Sequence, residues 1–180
     1  SFHRTMTQVA TRDTVLGPFD HQVLELDGIR YELEDRDDGF WVRIVRLEGV
    51  EEYPIVLTTG SHHMQVVWFS TGEQRELASL PFVYLIADQR WVPRRSAFLR
   101  PPAQSHHTEV GRWNQDCLQC HATRSRPRID PKGLAKADTE VGEFGIACEA
   151  CHGPAKDHVA LYRSPITRYL ARLSDSPGEN

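Results

Sequence analysis

The chain has 180 residues, with 21 Lys and Arg against 25 Asp and Glu, for a formal net charge of −4. That length suits one domain or two small ones, and mild acidity gives no reason to expect nucleic acid. The composition excludes collagen, coiled coil and low-complexity disorder, and the longest apolar run, the 8 residues from Leu80 to Ala87, is too short for a membrane-crossing helix of about 20.

The first residue is Ser1, as expected of a processed chain or of a piece of a longer one. Ser1 to Val15 reads as a short helix. Val23 to Leu26 and Ile29 to Leu33 flank Asp27-Gly28, a strong hairpin signal. Asp38-Gly39 leads into Phe40 to Val45, which completes a three-stranded meander. Tyr53 to Leu57, Met64 to Ser70 and Pro81 to Ala87 read as three more strands, with Thr71-Gly72 as a turn. An antiparallel sheet is therefore predicted over roughly 20–95.

After Trp91 the texture changes. Pro93, Pro101, Pro102, Pro127, Pro131 and Pro154 discourage long regular elements. Residues 90–132 carry 9 basic against 3 acidic side chains, whereas 24–53 carry 10 acidic against 4 basic. His158 to Leu173 reads as helix despite Pro165, and Ser174 to Asn180 as a frayed end.

Chemistry concentrates in two runs, Cys117-Leu118-Gln119-Cys120-His121 and Cys148-Glu149-Ala150-Cys151-His152. C-x-x-C-H is the attachment signature of c-type haem. On a helical turn, positions i, i+3 and i+4 share a face. Two thiols three apart can therefore bond the two vinyl groups of a porphyrin, and the following His lies near the iron as proximal ligand. With His at 9 of 180 positions, its chance recurrence after both pairs is about one in 400. The competing readings are a zinc site, disulfides and a thioredoxin-type pair. Zinc ribbons usually separate their pairs by about 15–20 residues, against 27 here, and the βαβ pattern of a thioredoxin site is missing. Two covalently attached haem c groups are thus the expected cofactors.

Hydrophobic content is 39%, or about 43% counted with glycine in place of tyrosine, against a norm of about 45–50%. Two mostly apolar porphyrins would make up that deficit by serving as core. Their four propionates would also take the formal charge to about −8.

Seven further histidines are available. His158, His106 or His107, His62 or His63, and His3 are candidate distal ligands, and His21 is a weaker one. Met6 and Met64 are thioether alternatives that read as packing residues. Trp113 suits either a porphyrin face or an ordinary core position. Among Arg94, Arg95, Arg100, Arg112, Arg124, Arg126 and Arg128, one or two are expected to pair with haem propionates, because Arg binds carboxylates bidentately.

Trp113-Asn114-Gln115-Asp116-Cys117 through His121-Ala122-Thr123 resembles the W-N-x-x-C-x-x-C-H-x-T signature of multihaem c-type cytochromes. Cys148 through His152-Gly153-Pro154, with His158-Val159, is similar to their C-E-x-C-H-G-P-x-x-x-H-V run. Gly60 to Gln65, Leu80-Pro81-Phe82 and Trp91-Val92-Pro93 resemble a β-rich insert of a tetrahaem-like subgroup. Ser1 to Met6 resembles the stretch that follows an earlier C-x-x-C-H there. In that family the later His often ligates a neighbouring haem. The resemblance implies assembly in the periplasm or outside the cell.

The fold expected is α+β: an antiparallel β-rich module followed by a mostly helix-and-loop dihaem module. Residues 1–20 form an N-terminal helical segment, 21–98 the β module and 99–180 the dihaem module. The function expected is electron transfer within a multihaem chain, more a carrier than a catalyst. The alternative is an oxidoreductase acting on a small nitrogen or sulfur compound, which needs an open iron position. Partners would be redox proteins or further haem modules in an oligomer or filament, with neither nucleic acid nor a membrane span.

Overall fold

The computed structural model describes residues 4–72, 75–97, 113–129, 137–154 and 156–174. They fall in two compact units, Ser1–Ile146 and Ala147–Asn180. The expected α+β class is not what the chain adopts. It is mostly antiparallel β, with strand residues about twice as numerous as helical ones, and no helix-rich dihaem module is present among the described residues. The reason is local: around both C-x-x-C-H runs the chain forms single helical turns, and between them a narrow β-ribbon. Among the described residues the longest helix is Pro165–Ser174, of 10 residues.

A nine-stranded sheet forms the first unit. A 3-10 turn, Arg4–Met6, runs into β1 (Thr7–Val9) where a helix was expected. Then follow β2 (Gln22–Leu26), β3 (Ile29–Arg36), β4 (Gly39–Arg46), β5 (Gly49–Thr59), β6 (Met64–Ser70), β7 (Leu77–Ser79), β8 (Phe82–Leu85) and β9 (Arg90–Pro93). The order is β2-β3-β4-β5-β6-β8-β9, with β1 on β5 and β7 on β6. Asp27 and Gly28 both have positive φ, 53° and 79°, as a two-residue hairpin that matches strand twist requires. The Asp-Gly hairpins and the five strands from Val23 to Ser70 lie where the sequence predicts them. The strands β1, β7 and β9 are additions.

The long β5 changes partners along its length. Its first half pairs with β4 as far as Trp41↔Pro54, where proline has no N–H to continue a ladder. Its end pairs with β1, Thr7↔Thr59 through Val9↔Leu57. Against β6 the register slips between Ile55 and Leu57. One residue is extra there, so the side chains beyond it change face. Ile55 and its partner Phe69 lie in one apolar cluster, Leu57 and its partner Trp68 in the other.

Period-two alternation divides the two cores. Tyr31, Leu33, Val42, Ile44, Val67, Phe69 and Phe82 fill the first, which is closed by Tyr31 against Phe82 at 5.5 Å. Val66, Trp68 and Val83 face the other way and pack with Trp113 and Leu118. The second cluster is thus the surface on which the first C-x-x-C-H turn sits. Buried Gln65 ties the N-terminal segment to this sheet, accepting from Leu16 N at 2.9 Å and donating to Thr14 O at 2.8 Å.

Beyond α1 (Arg94–Ala97), a π-helical turn, Trp113–Cys117, leads into α2 (Leu118–His121). Then β10 (Ala122–Thr123) pairs with β11 (Glu143–Phe144), and bridges at Arg126↔Glu140 and Ile129↔Ala137 extend the ribbon. The second unit holds α3 (Glu149–His152), α4 (Lys156–Tyr162) and α5 (Pro165–Ser174). Pro165 splits the predicted terminal helix in two and opens α5, where its missing N–H costs nothing.

Candidate haem-binding site

The first motif is a helical turn with three environments. Trp113, Asn114 and Leu118 are buried, Gln115, Asp116, Gln119 and Cys120 are exposed, and Cys117 and His121 are half-buried. The spacing from 113 to 118 is the five-residue step of a π turn, an irregularity frequent at functional sites. It lets Trp113 and Leu118 share the sheet-facing side. Trp113 lies 5.7 Å from Trp68, ring to ring, and 6.5 Å from His121. The Trp68 indole is itself fixed by a bond from Nε1 to Thr59 Oγ1 at 3.0 Å.

Asn114, 0% exposed, pins this turn. Its Nδ2 donates to Arg75 O at 2.9 Å and to Thr139 Oγ1 at 2.8 Å, and its Oδ1 accepts from Leu77 N at 3.1 Å. Behind the motif, Gly145 N donates to His121 O at 3.0 Å and Thr123 Oγ1 to Gly145 O at 2.9 Å. Gly145 has φ 79°, a conformation that favours glycine.

The His121 ring meets the start of the chain. It bonds the Met6 backbone, and its Nδ1 lies 3.5 Å from Thr7 Oγ1. Burial pushes its pKa down from the usual histidine value, and the Met6 bond partly opposes this. The neutral imidazole is therefore favoured, which is the form that binds metal. A bond that raises the pKa is one in which the Met6 carbonyl accepts from the ring, an arrangement shared with metal-ligating histidines held by backbone carbonyls. The Met6 carbonyl also accepts from Gly60 N at 2.9 Å, which fixes it from the sheet side.

The second motif repeats the local geometry in its own unit. His152 N donates to Cys148 O at 3.0 Å, and Gly153, φ 73°, ends the turn by donating to Glu149 O at 3.1 Å. Cys148 and His152 are exposed. Cys117, Cys120 and Cys148 are not joined in disulfides, the state that thioether attachment requires. The Cys151 side chain lies outside the described residues. So does that of His158, whose backbone is in α4.

His3, His106 and His107 also lie outside the described residues. His62 and His63 are exposed on the turn before β6, with ring centroids 4.5 Å apart. Exposed His21 lies 3.8 Å from Asp20. Met64 packs into the second cluster, and Met6 serves His121 through its backbone. Among the described residues, no group of three His, Cys, Asp or Glu converges to hold a metal ion.

The donor set fits a covalently held haem at Cys117, Cys120 and His121: two thiols outside any disulfide on one turn, followed by an imidazole whose neutral form burial favours. Asn114, Thr7 and the Met6 carbonyl are supports that sequence reasoning missed. The Trp113-Asn114 pair beside the motif was a signal for the first. Nothing local marks Thr7 or Met6, which sit more than a hundred residues away.

No curated protein and no solved structure matches the chain significantly. No helix among the described residues is long and apolar enough to cross a membrane. Residues 87–153 match the family model for cytochrome c554 and c-prime, and this similarity supports a c-type cytochrome with covalently bound haem c and haem-based electron transfer.

Proposed function

We propose that the chain is an electron carrier with two haem c groups, one tethered by Cys117 and Cys120 and one by Cys148 and Cys151. His121 and His152 are the proximal ligands. The observation that carries this reading is the first motif itself, where two thiols outside any disulfide share one helical turn with a half-buried imidazole that bonds the Met6 backbone. When bound, each haem supplies a one-electron ferric/ferrous couple. The chain's own residues hold and tune it. Met6 and Thr7 orient the His121 ring, and the bond to the Met6 carbonyl raises its basicity. Trp113 and Leu118 exclude water from the sheet side of the turn. His158, His106, His107, His62, His63 and His3 are the candidate sixth ligands. The working location is the periplasm or the cell exterior, and the partners are redox proteins or further haem modules.

The test is maturation in a host competent for c-type haem, followed by a pyridine haemochrome count and intact mass. Two haems per chain are expected, and one in the variant carrying Cys117→Ser and Cys120→Ser. No covalent haem would refute the reading. Rapid CO binding by the reduced protein would favour an oxidoreductase of small nitrogen or sulfur compounds, because it needs an open iron position.

A further inference from the structure

We propose that Arg124 and Arg126 receive the propionates of the haem tethered at Cys117 and Cys120. This rests on the haem reading above and goes beyond it by assigning the carboxylate partners.

Among the described residues, the arginines from Arg94 to Arg128 divide into those with a partner there and those without one. Arg94 donates to Ser79 Oγ at 3.0 Å, and Arg95 pairs with Asp27 at 3.2 Å. Arg128 holds Glu140 at 2.8 Å and Asp138 at 3.4 Å, and Arg75 also reaches Asp138 at 3.4 Å. Arg124 and Arg126 are both exposed, and neither guanidinium has a partner among the described residues. Together with Arg75 they rim a cleft that runs on past Val141 and Phe144. Glu140 also lines it, but its carboxylate is already taken by Arg128.

A neighbouring, mostly apolar hollow shares Arg75, Thr139, Val141 and Phe144 with this cleft and reaches Leu57, Leu77 and Trp113. Val141, Phe144 and Cys117 pack against one apolar cluster, which links the walls of the cleft to the turn that carries the first tether. Arg124 has φ 53°, a region uncommon for a residue other than glycine. Its stem is packed over Gly142, where an added Cβ would come within 3.3 Å of the Arg124 Cβ. The Gly142 N–H bonds both the Thr123 and Arg124 carbonyls, at 3.1 and 3.3 Å.

A haem is an apolar disc with two carboxylates on the edge opposite its vinyl groups. Tethering the vinyl edge at Cys117 and Cys120 directs the propionate edge away from those thiols. Two carboxylates then require two free cations beside an apolar slot, and the cleft offers both. Arg binds carboxylate bidentately. Positive charge near the haem also favours the ferrous state, so the pair raises the midpoint potential.

The test compares the haem-loaded wild type with the double variant R124Q/R126Q, the charge-retaining R124K/R126K, and R128Q as a control on an engaged arginine of the same ribbon. In the double variant the haem count stays unchanged and the propionate bending band in the resonance Raman spectrum moves. The ferrous/ferric ratio at fixed potential falls about threefold to tenfold, where tenfold is about 59 mV for a one-electron couple. R124K/R126K recovers most of the potential, and R128Q leaves the Raman band in place. Raman band and potential both unchanged in the double variant would overturn the proposal. So would a wild-type potential that shifts on adding inorganic phosphate, with that response lost in the double variant, since a soluble anion would then occupy the pair. A matured wild type without covalent haem would refute the haem reading itself.

Discussion

Replacing Asn114 by alanine tests whether one buried amide holds the first C-x-x-C-H turn to the sheet. Asn114 is 0% exposed and makes three hydrogen bonds. In Asn114→Ala the Leu77 N–H and the Arg75 carbonyl lose their partners, and each buried group left unsatisfied costs about 1–3 kcal/mol. The Thr139 hydroxyl still donates to Pro127 O at 2.8 Å, so it adds little. Water entering the vacated space returns part of the loss, and a net cost of about 3 kcal/mol is expected. For a chain of this size that is a fall in Tm of about 6–12 °C. Urea unfolding of the haem-loaded protein, followed by far-UV circular dichroism, should show a lower midpoint with an unchanged slope. Asn114→Asp adds a second arm. It removes the Nδ2 donor and buries a carboxylate, so its deficit should shrink as pH falls and the acid regains a proton to donate. A loss below about 0.5 kcal/mol in Asn114→Ala, the level of an ordinary surface change, would refute the idea that this side chain anchors the motif.

Three further outcomes are expected. Gly60 has φ 85°, and an added Cβ would strike the Met64 carbonyl. Gly60→Ala should therefore cost about 2 kcal/mol or more in urea unfolding, and a near-neutral result would count against the fixed geometry of the Met6 carbonyl. Trp68→Phe deletes the donor to Thr59 Oγ1 and part of the contact with Trp113. About 1–3 kcal/mol should be lost in urea unfolding, and a near-neutral result would show that the Trp68 bond and its contact with Trp113 do not hold this cluster. In the full chain expressed without haem, the His121 pKa lies below its unfolded value because of burial. The unfolded state then binds more protons between those two values. Stability should fall as pH drops from neutrality through the unfolded histidine range near 6.5, then level off below the folded value. His121→Gln should flatten that slope, and an unchanged slope would assign it to another group.

The sheet was legible because its signals are local. Asp27-Gly28 demands positive φ at two successive residues, and Met64 to Ser70 alternates faces along one strand, so turn chemistry and period placed those elements without tertiary information. The strands β1, β7 and β9 are three or four residues long, too short to show a period, and exist because neighbouring edges need partners. The expected helical start failed for the same reason: Thr7 to Val9 is drawn to the open edge of β5 once Pro54 ends the pairing with β4. The helix-and-loop expectation failed on a different point. It treated the haem motifs as a self-contained module. Yet Trp113 and Leu118 already have an apolar surface to bury against, made by Leu57 after the slip in β5 and by Trp68.

The candidate site divides along the same line between local and distant information. Cys117, Cys120 and His121 are set by one helical turn and are readable from spacing alone. What orients the imidazole comes from Met6 and Thr7, and what pins the turn comes from Arg75, Leu77 and Thr139, all brought close by sheet topology. Spacing thus identifies the candidate groups for bonding a haem, and the fold decides how the His121 ring is held. The strand-to-motif bond also couples the two ends of the first unit. If β1 is displaced from β5, His121 loses the Met6 carbonyl and the Thr7 hydroxyl together. Breaking the Thr7↔Thr59 pairing with a proline at Thr7 should therefore raise the potential of the haem on His121, since losing the Met6 carbonyl makes the ligand less basic and a less basic ligand favours ferrous iron. A Thr7→Val variant keeps the strand and removes only the hydroxyl, so it should shift the potential less than Thr7→Pro. Equal shifts in the two would show that the hydroxyl acts alone and that the strand does not position the ring.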